Sequence, residues 1–260
     1  VFVDPDDWIL PDYCLGLYNL QAAYSGRGLV IQGMLCKGTD GTSLPSLSLP
    51  DRYLPFSSIG KSFAENNICE MGYAVSKIYT RSVIEEFSIR FDENIHCLED
   101  LLFMYQYLLH CDYLVLNHMQ NYVYVKHPFS LSHRIHSFES EYCCFVKYQQ
   151  LLAEMMKVWK IPAGDMVVTV NSMLVPFRRA LKSDYQPDRT IPREMRVKHL
   201  KRMISESRDV FLKYYHPVFK TDKLGKVLLG FNCYILYDFY IRLLFRLNIG
   251  PVFYGPKHMY

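Results

Sequence analysis

The sequence predicts an α/β region followed by a mostly α-helical C-terminal region. Three observations carry this. Up to about residue 137, short β-branched and aromatic runs alternate with stretches of helical periodicity. Beyond that point the strand-like runs fade and helical patterns remain. The charge switches at the same place: residues 1–140 carry 9 Lys+Arg against 16 Asp+Glu, and residues 141–260 carry 20 against 10. The expected regions are therefore 1–137 and 138–260. With 260 residues, 50% of them hydrophobic, the chain can fill one substantial core or two modest ones.

Val1-Phe2-Val3 reads as a strand that ends in Asp4-Pro5-Asp6-Asp7. In an open α/β sheet, ligands sit beyond the carboxyl ends of the strands. Carboxylates this crowded repel one another, and a divalent cation offsets that best. The alternative is an Asp/Pro turn whose acids begin the next helix. Trp8 packs at the edge of this segment.

Pro11 to Ser25 has helical spacing, with Tyr13, Leu17, Leu20 and Tyr24 on one face and Gly26 and Gly28 as a stop. Leu29–Leu35 reads as one buried strand. Residues 37–55, rich in Gly, Ser, Thr and Pro, read as a long surface loop. A short helix over 58–68, a strand over Tyr73–Tyr79 and a short helix at Val83–Phe87 follow. An amphipathic helix starts at Leu98-Glu99-Asp100, with Leu101, Leu102, Tyr105, Leu108 and Leu109 as its apolar stripe. Tyr113–Leu116 and Tyr122–Val125 are strand candidates, and 128–134 is a loop. Glu141–Trp159, Asp165–Lys182, Arg193–Tyr214 and Leu224–Asn248 read as helices separated by prolines.

Glu99-Asp100 is the second acidic constellation. Acids in the first turn of a helix are favoured by its dipole, which alone accounts for them. Alternatively, one of them is a general base taking a proton from an attacking hydroxyl.

Taken together, a strand ending in DxDD and, about a hundred residues later, an ED-plus-apolar helix resemble the family 2 glycosyltransferases. The resemblance is to the bacterial enzymes that build capsular, exopolysaccharide and lipopolysaccharide glycans. Phe2–Trp8 matches the DxD stretch. Ser76–Arg81 with Ile89–Glu93 matches the middle segment, and Leu98–Phe103 matches the ED motif. Tyr122–Lys126 leading into Ser130–Ser132 matches the closing strand and Ser-rich loop. The likeness spans roughly residues 1–140.

It implies a partial GT-A (Rossmann-like) nucleotide-sugar transferase domain carrying the helical region behind it. By resemblance, Asp4 faces the ribose or diphosphate of a nucleotide-diphosphate sugar donor, a UDP-sugar. Asp6, with Asp4, holds Mg²⁺ or Mn²⁺, and Asp7 supports the same site. Asp100 is the base that deprotonates the acceptor hydroxyl, and Glu99 orients it or touches the acceptor. His133 and Arg134 fall in the loop that reaches the diphosphate. Lys77 either approaches acceptor or phosphate or ends a strand in solvent. The implied activity is inverting transfer to a glycan or lipid-linked acceptor in cell-surface polysaccharide biosynthesis. The rival is a non-catalytic scaffold that binds membrane or partner proteins. The family begins with a β-α-β-α-β unit that has no counterpart here. The chain also opens without Met, inside an apolar run, so the expectation is a chain truncated before its DxD motif.

Arg193, Arg196, Lys198, Lys201 and Arg202 form a cationic helical stretch, and Lys220, Lys223 and Lys226 precede an aromatic-rich apolar run. Asp238, Arg242 and Arg246 interrupt that run, which argues against a membrane span. Two readings stay open: a helix lying in an anionic membrane interface, or one packed on the catalytic domain. The apolar content and the absence of a recognised motif argue against nucleic acid as partner. The eight cysteines show no CxxC pairing, which fits a reduced cytoplasmic protein; the interfacial reading of the basic tail would make it peripheral on the inner face of the cytoplasmic membrane.

Overall fold

The computed structural model describes residues 1–260 except 66, 67, 69, 70, 128–133, 162–166, 187, 218, 248 and 250–260. The chain is mixed α/β and forms two compact units. The first is Val1–Asp92, Leu98–Ser130 and Gln150–Thr169; the second is Glu93–Cys97, Leu131–Gln149 and Val170–Tyr260.

The first unit holds two four-stranded sheets. One has β2 (Gly28–Gln32) and β7 (Tyr113–Asn117) as parallel central strands, flanked by antiparallel β5 (Arg52–Pro55) and β6 (Lys77–Ile78). The other pairs β3 (Met34–Gly38) in parallel with β8 (Tyr122–Lys126), with antiparallel β1 (Trp8–Ile9) and β4 (Ser43–Leu47) outside. The central strands β2 and β7 are buried at every residue, as strands covered on both faces must be. Helix α1 (Tyr13–Ala22) sends Tyr13 and Leu17 into a core shared with Val30, Met34, Val75, Tyr113, Val115 and Tyr122.

Several sequence expectations are corrected here. Val1–Val3 makes no strand: Phe2 docks edge-on against Tyr79, Phe91 and Phe103, while Val1 and Val3 face solvent. The alternation is that of an extended segment anchored by one ring rather than by a ladder. Leu29–Leu35 is two strands, not one. The chain leaves one sheet and enters the other at Gly33, whose N–H donates to Asn117 O at 3.2 Å. A Cβ at Gly33 would lie 2.5 Å from Leu47 O.

Residues 37–55 are not a loop. They contain the β3–β4 hairpin, closed by the turn at Gly38–Thr42 with Gly41 at φ +82°, and then β5. Pro45 and Pro55 misled the reading, because edge strands tolerate proline where central ones do not.

Helix α2 (Phe56–Glu65) packs on β5 and β7, the short α3 (Arg81–Glu86) follows β6, and α4 (Glu99–Leu108) is buried almost all round rather than along one stripe. Phe103, Met104 and Tyr107 are as deep as the predicted Leu101 and Leu102. Such a helix belongs inside a core.

Helix α5 (Phe138–Trp159) begins in the second unit and ends in the first; α6 (Val167–Ser183) begins in the first and continues in the second. The long helices expected at 193–214 and 224–248 each break in two: α7 (Arg193–Glu206) with α8 (Arg208–Tyr214), and α9 (Lys220–Gly230) with α10 (Tyr234–Arg246). Ser207 leaves helical geometry at φ −123°, and Asn232 turns left-handed at φ 58°. Buried charge pairs fix the second unit. Arg196 grips Asp238 through two bonds of 2.6 and 2.9 Å, and Tyr185 donates to the same carboxylate at 3.1 Å. Arg179 grips Glu141 likewise, at 2.8 Å twice. Arg196 is therefore a structural ion-pair partner, not part of a solvated cationic face. Among the described residues, no helix is long and apolar enough to cross a membrane.

Gly33→Ala is expected to destabilise the fold by about 1–3 kcal/mol, since the added Cβ meets the backbone oxygen of Leu47 rather than a flexible side-chain end. Urea denaturation should show a lower midpoint with an unchanged slope.

Candidate active site

The acidic segment at the N-terminus folds as a turn closed by Asp7 N–H donating to Asp4 O at 3.1 Å. Its three carboxylates then diverge. Asp7 faces the sheet: it accepts from Tyr122 Oη at 2.6 Å and from the Val125 N–H at 2.7 Å. Tyr122 in turn accepts from the Asp4 N–H at 3.1 Å, so strand β8 holds the turn at two residues. Asp6 is half-exposed, its Oδ2 3.2 Å from His127 Nε2 just past the end of β8. Burial pushes the carboxyls of Asp4 and Asp7 above the usual range. Asp4 is raised further by the charges of Asp7, Asp6 and Asp100.

That last neighbour joins the two halves of the site. Phe2 packs on Phe103, one turn along α4 from Asp100, at a centroid distance of 5.6 Å. The segment carrying the DxDD turn thus rests on the start of the ED helix. The Asp100 carboxyl is pushed up to about 6, first by burial and then by Glu99; the charge of Lys77 and the Leu101 N–H, which donates to Oδ1 at 3.1 Å, oppose this.

Lys77 is not a solvated strand end. It has no exposed surface, its Nζ lies 3.5 Å from the Tyr73 ring centroid, and it donates to the carbonyls of Tyr73 and Val75. Burial holds its ammonium well below the ordinary lysine range, and Asp100 is the charge that opposes this. Tyr79 is buried beside Asp100 as well, and its hydroxyl is pushed far above its usual range by burial and then by that carboxylate.

Two backbone strains set these groups. Ser76, before Lys77, and Leu98, before Glu99, have φ of 58° and 67°. Left-handed backbone at a bulky non-glycine residue persists only where the surroundings enforce it, and such positions cluster at functional sites. For Ser76 the surroundings are explicit: its hydroxyl lies 2.9 Å from Gly33 O and 3.1 Å from Gln32 O.

The donor chemistry suits Mg²⁺ or Mn²⁺, because Asp4 and Asp6 offer hard carboxylate oxygens. Among the described residues, no group of three His, Cys, Asp or Glu side chains converges as a metal cage. A Mg²⁺ that also binds phosphates commonly uses only one or two protein carboxylates. Asp7 is committed to Tyr122 and Val125, whereas the outward oxygens of Asp6, with Asp4 behind them, meet that requirement. His133 lies outside the described residues. Arg134 belongs to the second unit, exposed, with its carbonyl accepting from Arg179.

No family model and no curated protein matches this sequence. Solved structures do. The chain superposes on S. aureus TarS 1–349 with a TM-score of 0.55 and 14% identity, over 96% of this chain and 66% of that one. The complexes of the same TarS segment with UDP-GlcNAc and with UDP each give a TM-score of 0.56 at 14% identity, covering 95% or 96% of this chain and 67% of theirs. The likeness is one of fold. The chain spans about two thirds of the length of those structures.

Sequence reasoning missed Tyr122, Tyr79 and His127. Tyr122 and Tyr79 were read as strand aromatics, and a hydroxyl's use depends on which neighbour the sheet delivers. His127 directly follows the closing strand, a position from which its place opposite Asp6 could have been suspected.

A carboxyl near 6 in the folded chain and 3.8 in the unfolded one ionises more readily unfolded, so ionised Asp100 costs stability above pH 6. That loss is regained as the pH falls through 6 towards 4. Asp100→Asn is therefore expected to stabilise the protein by about 1–3 kcal/mol at pH 8 and to leave it unchanged near pH 4. Thermal unfolding followed by circular dichroism at the two pH values checks this.

Proposed function

We propose that the chain is an inverting glycosyltransferase that moves a sugar from a UDP-sugar to a hydroxyl of a glycan or lipid-linked acceptor in cell-surface polysaccharide biosynthesis. The observation that carries this reading is the packing of Phe2 on Phe103, which sets the segment of the acidic Asp4–Asp7 turn against the helix that begins Glu99-Asp100, more than ninety residues away in sequence. The fold shared with TarS 1–349, one structure of which holds UDP-GlcNAc, supports the donor class.

In this reading Asp100 takes the proton from the acceptor hydroxyl as that oxygen attacks the anomeric carbon. A carboxylate held near 6 is largely ionised at neutral pH and is a stronger base than an ordinary aspartate. Glu99 orients the acceptor and keeps the Asp100 proton affinity high. Lys77, sealed beneath the site, acts through Asp100: its nearby charge keeps the buried carboxylate from rising further. It is a positioning residue rather than an acceptor contact. On the donor side Asp4 and Asp6 would hold Mg²⁺ or Mn²⁺, which when bound neutralises charge on the departing diphosphate. Asp7 keeps that pair in place through Tyr122 and Val125. A base on one face and a leaving group on the other give in-line displacement, hence inversion.

Asp100→Ala is expected to lower sugar transfer from UDP-GlcNAc by about 10²–10⁴-fold. The wild-type rate should fall below about pH 6 as Asp100 takes up its proton. Full transfer by the variant, read by UDP release with product analysis, would remove Asp100 from the base role. No UDP release by the wild-type chain with any UDP-sugar and Mg²⁺ or Mn²⁺ would favour the non-catalytic scaffold.

Asp6→Ala is expected to cost about 10²–10³-fold, with weaker dependence of the residual rate on added Mn²⁺. Metal titration of both proteins gives the comparison, and an unaltered Mn²⁺ dependence would argue against Asp6 as a ligand.

A further inference from the structure

We propose that α7, α9 and α10 of the second unit form a docking face for an anionic phospholipid bilayer. Helix α10 is apolar on two sides. Tyr237, Ile241 and Leu244 point inward and are buried, as is Asp238 in its clasp with Arg196. Ile235, Leu236, Phe239, Leu243 and Leu247 lie on the outward side at spacings of three and four residues, all exposed, Phe239 at 65%. Helix α9 repeats the arrangement, burying Gly225 and Leu229 while exposing Leu224 and Val227. Phe231, in the turn that joins the two, is 78% exposed. An amphipathic helix needs one apolar face to fold; these two carry a second that the fold leaves open.

Cations share that outward side. Arg242 and Arg246 continue the exposed stripe of α10, and Lys220 and Lys223 begin that of α9. Between α7 and α10 runs an open groove of about 710 Å³, walled by Arg193, Lys201 and Arg242 over a floor of Ile235, Leu236 and Phe239. Its acids are few: Asp238 is held by Arg196, and Glu194 stands at the N-terminal end of α7.

The pattern fits the bilayer interface, where aromatic and aliphatic side chains enter the acyl boundary and neighbouring lysines and arginines meet lipid phosphates. A nucleic acid would take the cations but leave the aliphatic ridge in water. A second copy of the chain would bring six further cations against these six, a repulsive pairing. The face stands independently of the activity proposed above.

Flotation of the full chain with vesicles tests this. Phosphatidylcholine containing about a third phosphatidylglycerol should carry the protein upward, and phosphatidylcholine alone should carry far less. Each basic residue near such a surface strengthens binding about fivefold. The triple variant Arg193→Glu, Lys201→Glu, Arg242→Glu should therefore lose more than about 100-fold in partitioning, and the wild type should release as salt is raised. Phe231→Glu with Phe239→Glu should also abolish flotation. All five positions are exposed, so unfolding curves should match the wild type and confirm that the variants fold. Equal binding to neutral vesicles, no binding to either, or variants that float like the wild type would overturn the proposal. So would a stable dimer by light scattering that the two Phe→Glu changes dissociate and that does not float.

Discussion

The carboxylate of Asp7 is the joint on which the candidate site turns. It accepts one hydrogen bond from a side chain of β8 and one from its backbone, at 2.6 and 2.7 Å. Charge-assisted bonds of this kind are about twice as strong as neutral ones. They convert a short acidic segment, with only β1 behind it as secondary structure, into a rigid extension of the parallel β3–β8 pair. Asp7 thus spends its carboxylate on holding the turn, together with the Asp4 N–H on Tyr122 and the docked ring of Phe2.

The second constraint is electrostatic and runs in the opposite direction. Asp4, Asp6, Asp7 and Asp100 crowd one another in the first unit; His127 faces Asp6 at the surface, and Lys77, itself stripped of water, is the cation set against Asp100. Carboxyl values pushed upward mean that the fold is carrying charge it would rather neutralise. Such a concentration is unfavourable by itself, and under the proposed function a bound cation would offset it. The left-handed residues Ser76 and Leu98 add local backbone cost directly before Lys77 and Glu99.

The two acidic constellations, the strands at 113 and 122 and the helical character of the C-terminal half were legible in the sequence, because hydrophobic period and carboxylate crowding are local signals. The failures have a common cause in tertiary context. The β4 and β5 strands were hidden by prolines that an edge position forgives. Val1–Val3 had the composition of a strand but no ladder to join. Lys77 looked like a strand-end cation, and only the packing of Tyr73 over its ammonium reveals its burial. Arg196 looked like one of five surface cations; its partner Asp238 is 42 residues away, a separation that no local pattern encodes. The partners of Asp7, Tyr122 and Val125, lie more than a hundred residues along the chain.

Gly33 gives the first unit a property beyond packing. Because one residue joins β2 of one sheet to β3 of the other, there is no slack between them. β6, with Lys77, is registered on β2 through Ile31, and β8, with the residues that hold the acidic turn, is registered on β3. Lys77 and the anchors of the acidic turn are thus indexed to each other through the covalent backbone, as two scales ruled on one bar. The tip of the β3–β4 hairpin, by contrast, hangs at a sheet edge and closes on itself at Gly38–Thr42. A change in the length of that turn would therefore leave the alignment of β6 and β8 untouched.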